Sequence, residues 1–299
     1  MLTFTTLSDI DYLRRGIALY ESLQETTESN FKLYYLCLDG QIFDALSEIN
    51  FENLIPIRIE EMDGVSDFQK LKENTKYVKG GFCTYCFALA SFFTYYVYNK
   101  LDTQSIIYMD SDILFYQDIK DILDHVGERS AGIHLHRHVD VGHHVGGYNV
   151  GVVVFKGVIG KKILKWWRDC LIDPNNEWAD QYGRVGDQAY LEAFAPLFGE
   201  ENICVIDDKI GHGAPWNFPL YTYNVDGTIM WNEKKQKMYF CHFATFAEFP
   251  EKDAYTVDRT GGQNPQNQTL LKNPKIKKYY DDYYIRLKNI HIKYNIGST

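Results

Sequence analysis

Ile106-Ile107-Tyr108-Met109-Asp110-Ser111-Asp112-Ile113-Leu114-Phe115 is the stretch on which the fold of this chain turns. Four large residues run into an acid–serine–acid step, and a second apolar run follows. A strand covered on both faces is apolar throughout, whereas a half-exposed one alternates, so residues 106–109 predict a buried strand of a parallel sheet. The two acids fall where that strand ends, and the carboxyl edge of an open α/β sheet is where ligands bind. Residues two apart in an extended segment point the same way, so Asp110 and Asp112 are expected to face one ion together. Two hard oxygen donors suit Mg²⁺ or Mn²⁺, which would also hold a phosphate. The plainer reading is a strand end and a polar turn, with Asp112 capping the next segment.

The residues upstream supply the sheet that this strand joins. Leu2 to Leu7 reads as a strand, Ser8-Asp9-Ile10-Asp11 as a turn with cap-competent side chains, and Tyr12 to Leu23 as a helix. Strands at Leu33–Leu38 and Leu54–Ile59 enclose a short helix at Phe43–Ile49. Strand and helix in alternation predict a parallel, nucleotide-binding half-sheet. Lys79-Gly80-Gly81 breaks the chain before an apolar, aromatic helix, Phe82 to Tyr98, expected to lie buried beside the sheet.

Composition narrows the function classes. A chain of 299 residues with 45% hydrophobic and 24% charged residues can bury an ordinary core, as one large α/β domain or two small ones. A net charge of −9 argues against nucleic acid as the main partner. The 23 tyrosines raise the aromatic share to 15%, a surplus that suits stacking on sugars or bases. Cys37, Cys83, Cys86, Cys170, Cys204 and Cys241 are scattered, and the Cys83-x-x-Cys86 pair has no second pair at zinc-ribbon distance, so buried free thiols are expected. The first residues read as a strand without a basic leader, and no window approaches the ~18 apolar residues of a membrane span. A reducing cytosol is the compartment expected.

Downstream, Ile119 to His125 reads as a short helix and Ala131 to Leu135 as a strand that opens into a glycine- and histidine-rich loop, His136 to Gly147, expected to move. No cysteine accompanies its histidines to complete a zinc site, while Arg137 offers a permanent charge for a phosphate. Tyr148 to Phe155 is a further strand, with Asn149 as either a turn residue or a hydroxyl-binding amide. Lys161 to Leu171 is an amphipathic helix whose Trp166 and Trp167 read as core anchors. Asp187 and Gln188 follow a glycine turn at a helix start, where an acid is favoured by the dipole but where an acid and an amide can also read sugar hydroxyls. Ile203 to Ile206 reads as a strand. Gly211-His212-Gly213-Ala214-Pro215-Trp216-Asn217 reads as a glycine-rich turn, and Lys237 to Phe243 as the last strand. His242 is either a core histidine or the imidazole that completes an O,O,N set with Asp110 and Asp112. Thr256 to Thr269 reads as a long loop. From Lys272 onward seven Lys or Arg face only Asp281 and Asp282, interleaved with tyrosines. This is either a solvated terminal helix or a docking patch for an anionic membrane surface or lipid-linked acceptor.

Taken in order, Thr5-Thr6-Leu7-Ser8 with Tyr12, Tyr108-Met109-Asp110-Ser111-Asp112, Asn149-Val150-Gly151, Gly186-Asp187-Gln188 and Cys241-His242 resemble the glycosyltransferases of family 8, nucleotide-sugar enzymes of the GT-A fold. The His-Arg step, the Tyr-Asn-Val-Gly run, the Trp-Trp helix, Ala-Pro-Trp-Asn and the closing His-Phe resemble more closely a group of nucleotide-diphospho-sugar transferases of bacterial polysaccharide pathways. The resemblance runs from residue 1 to about 245. It implies an α/β fold of GT-A (Rossmann-like) type, a mixed, mainly parallel sheet flanked by helices, with a catalytic domain at 1–250 and a basic, Tyr-rich extension at 251–299. It implies that Asp110, Asp112 and His242 ligate Mn²⁺ or Mg²⁺. Thr6, Ser8 and Tyr12 would line the nucleotide, with Tyr12 stacking on the base, and Asn149, Asp187 and Gln188 would hold the donor sugar. The His136–Gly147 loop would close over the donor. The family pattern places a phosphate-binding lysine shortly after the closing histidine. Here Phe243-Ala244-Thr245-Phe246-Ala247-Glu248 follows instead, leaving Arg137, Lys252 or Arg259 as substitutes, and the Phe82–Tyr98 helix carries no basic residue.

The activity implied is transfer of a sugar from a nucleotide-diphosphate donor, expected to be UDP-linked, to a glycan or lipid-linked acceptor, with retention. The enzyme would be cytoplasmic and in peripheral contact with the inner face of the membrane through its C-terminal segment. Two other classes fit parts of the sequence. A haloacid-dehalogenase phosphatase shares the apolar strand and Asp-x-Asp, with Val205-Ile206-Asp207-Asp208 as its later acidic pair. A binding module that retains sugar recognition without turnover shares the aromatics but needs no complete ligand set.

Overall fold

The computed structural model describes the chain except for residues 77–81, 139–145, 174, 183–185, 259–266 and 298–299. The first three strands, β1 (Leu2–Ser8), β2 (Phe31–Cys37) and β3 (Leu54–Arg58), run parallel and lie with β4 (Ser105–Met109) in the order β3-β2-β1-β4. The chain then leaves this sheet, and β5 (Ile113–Phe115) belongs to a second one. β6 (Ala131–Leu135), β7 (Tyr148–Lys156) and β8 (Ile203–Val205) complete the first sheet: β7 is antiparallel to both β4 and β6, and β8 is parallel to β6. The fold class expected from the sequence, a mixed and mainly parallel sheet between helices, is the one observed.

Helices cover both faces. α1 (Leu13–Thr26), α2 (Gly40–Ile49), α5 (Ile119–Val126) and α10 (Pro274–Tyr294) pack into one core; α3 (Phe68–Lys76), α4 (Phe82–Leu101), α6 (Gly157–Ile172) and α8 (Phe194–Phe198) pack into the other, with α7 (Ala179–Tyr182) and α9 (Asn267–Leu270) as short turns. β4 shows why its sequence is apolar without a break. Ile107 and Met109 enter the α1 core, and Ile106 and Tyr108 enter the α4 core.

The second sheet is where the structure departs from the sequence reading. β9 (Ile210–Gly213) is a strand, not a turn, and lies parallel to β12 (Lys234–His242); β11 (Ile229–Trp231) pairs antiparallel with the start of β12, and β10 (Thr222–Tyr223) with β11. β12 is not the last strand either, because β13 (Ala247–Phe249) and β14 (Ala254–Thr256) follow as a hairpin. The helix α3 has no counterpart in the sequence reading. The tyrosines of the terminal segment belong to the core: Tyr280, Tyr283 and Tyr284 are buried, and Tyr283 stacks on Phe243 at 3.9 Å. The Lys79-Gly80-Gly81 break lies outside the described residues. Cys37, Cys86, Cys170, Cys204 and Cys241 are free thiols.

Candidate active site

The switch from one sheet to the other builds the centre of the site. At the end of β4 the Asp110 N–H donates to the Gly151 carbonyl at 3.0 Å, and Ser111–Asp112 then turn the chain into β5. β5 pairs antiparallel with β12 so that Ile113 lies opposite His242, and the Phe243 N–H donates to the Asp112 carbonyl at 3.0 Å. This register puts His242 Nε2 3.1 Å from Asp112 Oδ1 and 3.5 Å from Asp110 Oδ2. One ligand atom from each of the three residues lies within 4.8 Å of the others. The two acids therefore converge as the sequence led one to expect, but through a turn rather than through an extended run. The second oxygen of Asp110 accepts from the Tyr108 hydroxyl at 2.7 Å. Asp112 and His242 are buried, while the Asp110 side chain is 29% exposed and opens the cluster to solvent.

Electrostatics match the geometry. Burial raises the pKa of Asp110, opposed by His242 and reinforced by Asp112. Burial acts the same way on Asp112, but His242 and then Arg15 pull its pKa below the ordinary value. For His242 burial is outweighed by Asp112 and Asp110, and the pKa rises. Among the described residues no Lys or Arg lies within ion-pair distance of either acid. Two hard carboxylates and one imidazole, short of positive charge, form a donor set that fits a divalent cation.

Gly151 makes room for the ligand. A Cβ there would lie 2.9 Å from His242 Nδ1 and 2.8 Å from Asn149 Oδ1. The sequence pointed to Asn149-Val150-Gly151 as a block without giving this glycine a role, and only the approach of β12 supplies one.

Asn149, Asp187 and Gln188 border the cluster. Asn149 Oδ1 accepts from the Gly151 N–H at 2.9 Å, and its Nδ2 donates to Gln188 Oε1 at 2.8 Å. Gln188 Nε2 in turn meets His136 Nδ1 at 3.1 Å. An amide nitrogen can only donate, so His136 accepts there, as a neutral ring does. Burial, with His138 and His242 adding, pushes its pKa down to about 2. Asp187 opens the short 3-10 turn Gln188–Ala193, and its carbonyl accepts from the buried Trp167 Nε1 at 3.0 Å. Burial, followed by Asp110, raises the Asp187 pKa well above the carboxylate range. Trp167 is thus a core anchor that also fixes the backbone of a candidate site residue.

At the end of β1, Thr6 is buried with its hydroxyl unpartnered. The Ser8 hydroxyl bonds the Tyr35 hydroxyl at 2.6 Å and the Asp9 carbonyl at 2.9 Å, so it is engaged within the protein. Tyr12 is half-buried at the end of a 3-10 turn capped by Asp9, with the Arg15 guanidinium 4.1 Å from its ring centroid. Arg137 is placed differently from its expected role. Its side chain is fully buried; Nε lies 2.5 Å from Asp207 Oδ1, Nη1 reaches Tyr221 and Gln236, and Nη2 reaches two backbone carbonyls. With Trp231 3.8 Å from its charge, this guanidinium is spent on structure. The Arg137 partner Asp207 is likewise unavailable as a phosphatase acid. Residues 139–145 of the expected closing loop and Arg259 lie outside the described residues.

Trp216 is a site residue that the sequence left without a direction. Its ring stands edge-on to His242 at 5.4 Å and to His136 at 4.6 Å, and its buried Nε1 has no partner. Asn217 holds the turn, accepting from the Ala214 N–H at 2.8 Å and approaching His212 Nδ1 at 3.2 Å. A large aromatic in a glycine-rich segment was the only linear signal.

No protein-family model matches the chain. The uncharacterized protein YfnD of Bacillus subtilis is 25% identical over 261 residues, which cover 84% of this chain and 79% of that protein. Among solved structures, apo mouse xyloside xylosyltransferase 1 superposes with a TM-score of 0.50 at 14% identity, over 71% of this chain and 87% of that one. The galactosyltransferase LgtC, in complex with donor and acceptor sugar analogues, gives a TM-score of 0.48 at 16% identity, over 81% of this chain and 86% of its own. At these identities the likeness is one of architecture, and the architecture is that of GT-A proteins.

Proposed function

We propose that this chain is a metal-dependent glycosyltransferase that moves a sugar from a nucleotide-diphosphate donor, UDP-linked by resemblance, to a glycan or lipid-linked acceptor with retention. The observation that carries the reading is the convergence of Asp110, Asp112 and His242 at the edge where β4 ends. These residues would hold Mn²⁺ or Mg²⁺, which when bound supplies Lewis-acid stabilisation of a departing diphosphate. Thr6 and Tyr12 would receive the nucleotide, Tyr12 by stacking. Asn149 and Gln188, already hydrogen-bonded to each other, would orient the donor sugar. Asp187, beside Asp110, would orient a sugar or acceptor hydroxyl. Trp216 would wall the space above His242 and exclude water from it. In the reaction the anomeric carbon loses its bond to the diphosphate oxygen and gains one to an acceptor hydroxyl, whose proton passes to the departing diphosphate.

Residues 1–250 would carry this machinery, and 251–299 would brace it while presenting a basic surface to an anionic membrane. No helix among the described residues is long and apolar enough to cross a membrane. Placement on the cytoplasmic face, within reach of a lipid-linked acceptor, belongs to the proposal.

The test is a thermal-shift panel of UDP, GDP, ADP, CDP and dTDP, with and without Mn²⁺. Ligand that binds only the folded chain raises its melting temperature, so one nucleotide should stabilise the protein in a Mn²⁺-dependent way. Asp110→Ala and Asp112→Ala should abolish that shift and donor turnover together. Equal activity in excess chelator would remove the metal from the mechanism. Stabilisation without any slow donor hydrolysis would leave a binding module in place of an enzyme.

A further inference from the structure

A nucleoside diphosphate brings at least two negative charges to a site that already holds two carboxylates. One divalent cation offsets the carboxylates and leaves the diphosphate short of a partner. Two of the cations that the sequence offered are placed elsewhere: Arg137 is consumed by Asp207, and Lys252 stands exposed at the tip between β13 and β14, over the Phe249 ring.

Arg15, on the first turn of α1, is disposed otherwise. Its guanidinium lies 4.1 Å from the Tyr12 ring and 6.0 Å from that of Phe246. Nη2 donates to the Phe246 carbonyl at 2.9 Å, while Nη1 is enclosed with no partner. Among the described residues no carboxylate lies within ion-pair distance of it. Its neighbour Arg14 shows the contrast, held by both oxygens of Glu248 at 3.2 Å and 2.7 Å. The charge of Arg15 is nonetheless felt at the metal cluster, where it helps to depress Asp112. A guanidinium held over the Tyr12 ring, with a donor unspent and its charge reaching Asp112, has the planar fork that phosphate oxygens accept.

We propose that Arg15 is the positioning residue for the donor's diphosphate, supplying the cation that the sequence lacks after His242, with Tyr12 setting the plane of its guanidinium. The assignment rests on the transferase reading above. It makes Tyr12 and Arg15 one device: the ring receives the base, and the charge one helical turn later receives the phosphates.

The test is calorimetric titration of the full chain, saturated with Mn²⁺, using UDP, uridine and inorganic pyrophosphate. Arg15→Gln should weaken UDP and pyrophosphate by about 10- to 100-fold, the range of a lost charge-assisted hydrogen bond. Uridine should stay within about twofold, since no phosphate is present to lose a partner. Arg15→Lys, which keeps the charge, should recover part of the UDP affinity. Unchanged UDP affinity in Arg15→Gln would overturn the assignment, as would equal losses for UDP and uridine, which would mark Arg15 as a support for Tyr12 alone. If Arg15→Gln does not fold, Arg15→Lys decides on the same comparison. A wild-type chain that binds none of the nucleoside diphosphates would fail the transferase reading itself, and Arg15 with it.

Discussion

His242 is positioned by packing more than by hydrogen bonds. Its Nδ1 has no partner, Gly151 lies against that edge of the ring, Trp216 stands against it, and only Nε2 faces polar atoms. A methyl at position 151 would therefore move the imidazole or Asn149. Gly151→Ala is expected to lower Mn²⁺ affinity by about 10-fold or more, the scale on which misplacing a supporting group acts on a metal site. Titration calorimetry with Mn²⁺ checks this, and an unchanged affinity would show that β7 can yield. Arg137 makes the opposite case, a charge whose partners are all structural. Removing one member of a buried pair leaves the other unpaired, at about 3–5 kcal/mol. Arg137→Gln should lose stability on that scale in urea unfolding; a near-neutral result would return Arg137 to the list of ligand-binding cations.

At the scale of elements, α10 ties the terminal segment to the site. Tyr283 stacks on Phe243, the residue after His242, and Tyr280 and Leu287 are fully buried in the same core as α1. Deleting residues 274–299 should leave an apolar trough behind β12, giving a chain that binds hydrophobic dyes and no longer unfolds cooperatively. A cooperative melt of the shortened chain would show that α10 is an accessory. β9 illustrates a signal read the wrong way. Gly211 and Gly213 suggested a turn, yet a Cβ at Gly211 would strike the Lys237 carbonyl, so the glycine admits the backbone of β12. A local pattern cannot tell a bend from a close approach, because the approaching strand lies more than twenty residues away.

At the scale of the molecule, a buried polar layer joins the two sheets. His212 Nε2 meets Asp207 Oδ1 at 3.3 Å while Asn217 approaches Nδ1, a pattern that a neutral imidazole with its proton on Nε2 satisfies completely. Burial, with Arg137 adding, lowers the His212 pKa to about 4. The unfolded chain then binds a proton that the folded one refuses between about pH 6.5 and pH 4, so stability falls with pH across that window, by about 3 kcal/mol for this residue. Asp207 extends the loss: burial is overcome by His212 and Arg137, its pKa drops to about 2, and its contribution, present above the ordinary carboxylate value, is lost as pH falls through about 2. Melting temperatures between pH 7.5 and pH 4.5 should fall steadily, and His212→Gln should flatten the slope. A flat profile in the wild type would mean that the layer admits a proton.

Local patterns determined much of this protein. The alternation of strands with helices pointed to a parallel half-sheet, and the unbroken apolar run of β4 follows from its place between two cores. The strand-ending acids set the edge at which a cation would sit. The pairing of β5 with β12 was decided only in three dimensions, and it is this pairing that brings His242, 130 positions after Asp112, beside the two acids instead of leaving it a core histidine. So was the fate of two arginines. Both are arginines, but Arg137 meets a buried carboxylate while Arg15 meets a backbone carbonyl and two rings, so only Arg15 keeps an uncompensated charge and an unspent donor.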